Sequence, residues 1–305
     1  MKTILKIFLI VILLSSSSFS YCFSKELEAS SVNAIYYNKT GIEYYVNNDF
    51  EKAEKYFKKA VELDFDYPQA QNNLANVLYK QGNFTQAIQI LEKLIVKKPD
   101  YTDSYINLAL IYRKNDDATK ELQYLNQAIT INPDSYKAHL QRGITFCRLS
   151  QDEKAKEDFL NASEINPNSA ESFINIGQVF LKQHEYYKSL EYFNKSCVID
   201  EKYASACLKN LVEKNPQRAI YHYYYSKYLQ SSKNYQKASV EFENAIQIQP
   251  SQLDDYLDIA FIYSDQKMYD FFYKTLKEGL EKYPDNISLA NQLTNYNEMQ
   301  RNKIK

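Results

Sequence analysis

Six of the seven prolines keep one interval of 34 residues, Pro99, Pro133 and Pro167 in one run and Pro216, Pro250 and Pro284 in another. Gly41, Ala75, Ala109, Gly143 and Gly177 keep the same interval. A fixed period of this length marks a helical solenoid, in which each unit is too short to bury its apolar face alone and its neighbours supply the rest of the core. Repetition along nearly the whole chain favours a binding surface over a catalytic pocket.

The stretch from Ala34 to Phe65 shows one unit. Tyr37, Thr40, Gly41 and Tyr44 fall at the spacing of one helix face, and Ala53, Phe57, Ala60 and Val61 form the stripe of a second helix. Between them Asn47, Asn48 and Asp49 supply turn chemistry. The next unit repeats the design with Leu74, Ala75 and Leu78, the turn Gln81-Gly82-Asn83, then Ala87, Leu91 and Leu94. Small residues on both helices let their axes approach closely. The proline that closes each unit lacks an N–H and ends the helix. Pro68, outside that interval, fits the first turn of a helix.

On these residues, and on Gly143, Phe146, Ala155, Phe159, Ala162 and Pro167 of the fourth unit, the chain resembles the tetratricopeptide repeat (TPR) family. The resemblance implies an all-α fold, a right-handed α-solenoid of stacked antiparallel helix pairs. Repeats are expected at 34–67, 68–101, 102–135, 136–169, 170–203, 219–252 and 253–286. The pattern departs at Thr40, Arg142 and Tyr225 in a leucine column and at Phe65 and Glu201 in the proline column. Glu121 and Phe272 depart from it in the small-residue column.

The interval breaks once. Ala204, Leu208 and Leu211 occupy second-helix columns without a first helix before them, so 204–218 reads as an extra single helix. An odd helix disturbs an alternating stack. The expectation is a kink or partial split between a block of five repeats (34–203) and one of two (219–286), followed by a capping helix and tail (287–305). Residues 21–33 read as an amino-terminal linker.

The amino terminus reads as a secretory signal over 1–20. Lys2 and Lys6 precede the apolar run Ile7–Leu14, and Ser18 and Ser20 offer a cleavage site. That run is too short to span a bilayer, which needs about 20 residues. An exported protein is expected, periplasmic, envelope-associated or secreted. Lipid anchoring at Cys22 is the lesser reading, because bulky Tyr21 departs from the lipoprotein pattern. The 37 basic and 38 acidic residues give no basic footprint for nucleic acid. Export would place Cys197 and Cys207 in an oxidising compartment. Their positions in successive helices leave a disulfide open beside the reading of small core residues.

No motif points to chemistry. His139 and His222 occupy a packing column shared with Tyr37, Tyr105, Phe173 and Tyr256, and His184 stands alone in a turn. The cysteine spacing is not that of a zinc site, and no catalytic residue, metal or cofactor is expected.

In the family, first helices line a concave face that commonly takes extended peptides. One such column holds Asn73, Asn107, Gln141 and Asn175, whose carboxamides both donate and accept hydrogen bonds and so suit a peptide backbone of any sequence. A second holds Lys80, Lys114, Arg148 and Lys182, which either meet an acidic partner or favour the negative helix C-terminus. Asn76, Asn107 and Lys137 match a carboxylate clamp known in relatives, but Asn72 and Gln141 replace its other two basic residues, so that function is set aside. Tyr223 and Tyr224 are expected to face the groove and offer contact area. The expected function is a non-enzymatic scaffold holding a protein or peptide partner. A structural spacer, a self-assembling scaffold and a glycan-binding helper stay open as alternatives, as does homo-oligomerisation.

Overall fold

The computed structural model describes residues 31–303. The signal segment 1–20, its cleavage site and Cys22 lie outside the described residues. Within them are sixteen helices and no strand, and none of these helices is long and apolar enough to cross a membrane. The chain forms two compact units divided between Thr145 and Phe146.

The first unit holds α1 (31–46), α2 (Phe50–Leu63), α3 (Pro68–Lys80), α4 (Phe84–Lys97), α5 (Thr102–Lys114), α6 (Ala118–Ile131) and most of α7 (Tyr136–Arg148). The second holds α8 (Asp152–Ile165), α9 (Ala170–Lys182), α10 (Tyr186–Ile199), α11 (Glu201–Lys214) and α12 (Ala219–Ser231). It continues with α13 (Tyr235–Gln247), α14 (Leu253–Asp265), α15 (Tyr269–Lys282) and α16 (Ile287–Lys303).

The turn inside each repeat has one physical solution. Asn48, Gly82, Asp116, Ser150, His184, Lys233 and Lys267 all take positive φ, between 57° and 85°. At Gly82 the amide donates to the Tyr79 carbonyl and the next amide, of Asn83, donates to Leu78. The same pair of bonds recurs at Lys267 and Met268, to Ser264 and Tyr263. This is the Schellman closure, which satisfies carbonyls that a helix end leaves open. The following residue often caps the next helix: Asp49, Asp117 and Asn234 accept from the amides of Lys52, Lys120 and Lys237.

Between repeats a second device recurs. Tyr105 donates to the Pro99 carbonyl at 3.1 Å, His139 Nε2 to Pro133 at 3.0 Å and His222 Nε2 to Pro216 at 3.2 Å. Gln71 does the same for Phe65. Each reaches back six residues to a carbonyl at the loop, so the packing column also supplies a hydrogen-bond partner for exposed backbone.

In the first unit Phe57, Leu91, Leu108 and Ile111 are buried against Ala53, Ala75 and Ala87. Gly41 is needed there, since a Cβ would lie 2.6 Å from the Phe57 ring. Glu121, in a column that small residues hold in every repeat but this one and the last, is fully buried. Arg113 pairs with it and also donates to the Gln141 carbonyl at 2.9 Å, while Thr145 donates to Glu121 at 2.6 Å. A buried carboxylate is tolerated only when paired and hydrogen-bonded in this way.

In the second unit one core runs from Ile174 to Tyr296. The split expected at 204–218 does not interrupt it. α11 is a helix that packs on α9, α10 and α12, with Ala204 and Leu208 buried. An odd helix is absorbed because both its flanks find apolar neighbours. Cys197 and Cys207 are free thiols, and burial pushes both up, Cys197 to about 11.

Candidate functional site

The amide-bearing residues of the first unit converge. α1, α3, α5 and α7 present Asn38, Asn72, Asn73, Asn76, Asn107, Lys137 and Gln141 to one groove of about 430 Å³. Ile42, Ile106 and Leu110 add an apolar strip, and Tyr101 and Asp103 stand at the α5 start. The position of each side chain follows from the repeat: residues 34 apart sit at equivalent places on successive first helices.

The amides are partly spent on one another. Asn73 Nδ2 donates to Asn38 Oδ1 at 2.9 Å, and Asn107 Nδ2 donates to Asn72 Oδ1 at 2.7 Å. Asn38 Nδ2 reaches the Tyr67 hydroxyl at 3.2 Å. Gln141 Oε1 accepts from Arg113 at 2.7 Å. These bonds hold the side chains in register and leave the outer polar atom of Asn73, Asn107 and Gln141 for a ligand. Asn76 and Lys137 have no hydrogen bond among the described residues, so the groove offers acceptors, donors, one cation and one anion, Asp103, along an apolar strip.

Asn38, Tyr101, Asp103 and the isoleucine strip were not singled out from the sequence. Asn38 and Asn72 form a column of their own one position before the amide column. The column continues as Ile106 and Leu140, which hides the signal. Asn175 lies half-buried on α9 in the second unit.

The cation column falls at helix ends. Lys80, Lys114, Arg148 and Lys182 occupy the last turns of α3, α5, α7 and α9 and are exposed. Lys182 pairs with Asp152 at 2.9 Å. Each position is one where a cation is favoured by the helix dipole, by about 0.3–1 kcal/mol.

Tyr223 and Tyr224 do not face open solvent, contrary to the expectation. Both are buried. The Tyr224 hydroxyl donates to the Tyr186 carbonyl at 2.9 Å and its ring packs on Phe193 of α10. Tyr223 donates to Asp265 and contacts Phe261 and Phe242. The reason is the position of α10, whose first turn fills the inner side of α12 and α14. Tyr186 stacks on Phe261 at 4.5 Å and donates to Asp258, 72 residues away, at 2.9 Å. Arg218 donates to the other oxygen of Asp258 at 3.0 Å. Burial pushes the Asp258 carboxyl up to about 6, against the opposing pull of Arg218 and Tyr186.

Helix pairs in register, one turn geometry and one closing column describe a single repeat family. Residues 47–112 and 102–135 match two tetratricopeptide repeat models. The chain is a tetratricopeptide-repeat protein. Among solved structures, a thermophilic TPR protein of Thermus thermophilus shares the fold with a TM-score of 0.50 and 21% identity, over 55% of this chain and 92% of its own. MamA matches with a TM-score of 0.43 and 22% identity, over 56% of this chain and 94% of its own. YrrB, described as a TPR protein with an unusual peptide-binding site, matches with a TM-score of 0.41 and 24% identity, over 61% of this chain and 97% of its own. No curated protein matches this sequence. The TPR fold is in general that of a protein–protein interaction scaffold, and TPR proteins are generally non-enzymatic.

Proposed function

We propose that this TPR protein is a non-enzymatic scaffold that holds an extended segment of a protein partner in the groove of its first unit. The carrying observation is the convergence of Asn73, Asn76, Asn107 and Gln141 on one cavity of about 430 Å³. Hydrogen bonds to Asn38, Asn72 and Arg113 fix the Asn73, Asn107 and Gln141 side chains before a ligand arrives, which lowers the entropy lost on binding. Carboxamides match backbone N–H and C=O groups whatever the sequence, while the Ile42, Ile106 and Leu110 strip takes an apolar side chain. Lys137 adds preference for a nearby carboxylate. Lys80 and Lys114, exposed and without an ion pair among the described residues, extend that preference along the same unit.

The signal-like segment 1–20 supports an exported location, and with it a role in assembling a cell-envelope or secreted complex. The test places a photoreactive residue at Asn107 in the native host and identifies crosslinked partners by mass spectrometry. One dominant partner protein is expected. Replacing Asn76 and Asn107 together by Ala should then weaken binding of that partner about tenfold, with helicity unchanged by circular dichroism. Unaltered affinity overturns the groove as the binding surface.

A further inference from the structure

A second cleft, of about 390 Å³, lies in the second unit among the α9–α10 turn, α14 and α16. It arises from the contact that buries Tyr223 and Tyr224. Once Tyr186 is stacked on Phe261, the next residue, Tyr187, is carried to the edge of α14 and stands at 78° to Phe261, ring centroids 5.1 Å apart. The two rings make a corner. Phe261 is buried, whereas Tyr187 is 64% exposed.

Around this corner stand the Tyr187 hydroxyl, Ser264, Ser288 and Gln292. None of these side chains makes a hydrogen bond among the described residues. Each can both donate and accept. The two charged residues at the rim, Glu185 and Lys188, are paired with one another and leave no net charge. His184, also at the rim, is engaged by the Tyr186 hydroxyl at 3.0 Å.

We propose that this cleft binds one ring of a neutral sugar. A pyranose has an apolar C–H face and a rim of hydroxyls. The exposed aromatic face suits the first, and serine, amide and phenol groups that both donate and accept suit the second. The neutral lining disfavours a charged ligand, whose desolvation would find no compensating ion. Three elements bound the cleft, so it takes a compact ring rather than an extended chain. This site is separate from the peptide groove and stands or falls independently of it.

The test is saturation-transfer difference NMR on the full chain, with maltotriose and triacetylchitotriose as neutral probes and sialyllactose as the charged one. Transfer to the ring protons of at least one neutral sugar is expected. Tyr187→Ala should weaken its affinity about tenfold, Tyr187→Phe should retain most of it, and Asn107→Ala in the other unit should leave it unchanged. Should Tyr187→Ala lose its circular dichroism melt, Gln292→Ala provides the same readout from the mostly exposed α16. Absence of transfer to both neutral sugars overturns the proposal. So does undiminished binding in Tyr187→Ala or Gln292→Ala, preference for sialyllactose, or loss of binding in Asn107→Ala.

Discussion

At the scale of single residues, seven turns share one backbone conformation but only Gly82 is the residue suited to it. A side chain with a Cβ loses roughly 1–2 kcal/mol in the left-handed region, and Asn or Asp lose less because their short polar groups bond locally. Lys233 and Lys267 occupy it without that compensation and are exposed. Replacing both by Gly should therefore stabilise the protein. The expected gain is about 0.5–1 kcal/mol at each position after the added chain entropy of glycine is subtracted. Asn48→Gly should change little. Urea denaturation midpoints check this, and a midpoint lowered by Lys267→Gly would contradict the strain argument. Glu121 shows the reverse case: the carboxylate breaks the small-residue column, yet Arg113 and Thr145 absorb it within hydrogen-bond distance.

At the scale of helices, the first turn of α10 decides what α12 and α14 do. Asp258 on α14 is fully buried and held between Tyr186 of α10 and Arg218 beside α12. Its carboxyl titrates at about 6 in the folded chain against an ordinary value of 3.8. The folded state thus binds the proton more tightly than the unfolded one. Its contribution is most favourable at low pH and is lost as pH rises from about 4 to 6, by roughly 2–3 kcal/mol. Other carboxylates impose their own slopes, so the comparison is with Asp258→Asn. The difference in stability between wild type and Asp258→Asn should shift in favour of the variant across that window, whatever the absolute loss from leaving Arg218 with only its longer contact to Asp254, at 3.6 Å. Parallel pH profiles for the two would show that Asp258 is not the titrating group.

At the scale of the whole molecule, the end of the second unit is closed by α16. Leu289 is buried over Gly279, and Tyr296 packs on Phe272, Tyr269 and Tyr273. The rest of the helix is mostly exposed and polar. Removing residues 287–305 should uncover these aromatic rings and lower the midpoint of thermal unfolding by several degrees, with the oligomeric state unchanged in analytical ultracentrifugation at low concentration. A change of oligomeric state without loss of stability would instead favour a scaffold assembled through its ends.

The interval of 34 residues, with its small-residue and turn columns, determined the helices, their pairing and the turn positions from sequence alone. Those features are local: they depend on residues within one repeat or the next, and the period reports that spacing directly. The amide column was legible for the same reason, since Asn73, Asn107 and Gln141 occupy equivalent places on successive helices. Tertiary structure alone decided which inner faces stay open. Tyr223 and Tyr224 sit at positions that a regular stack would leave on the concave side. They are buried because α11 adds one helix out of phase and the α10 start then meets α14 across 72 residues. No column of a repeat records a contact at that separation. Asn38 was missed for a smaller version of the same reason: its column breaks after Asn72, at Ile106, and does not record the hydrogen bond to Asn73 in the neighbouring helix pair that gives Asn38 its role.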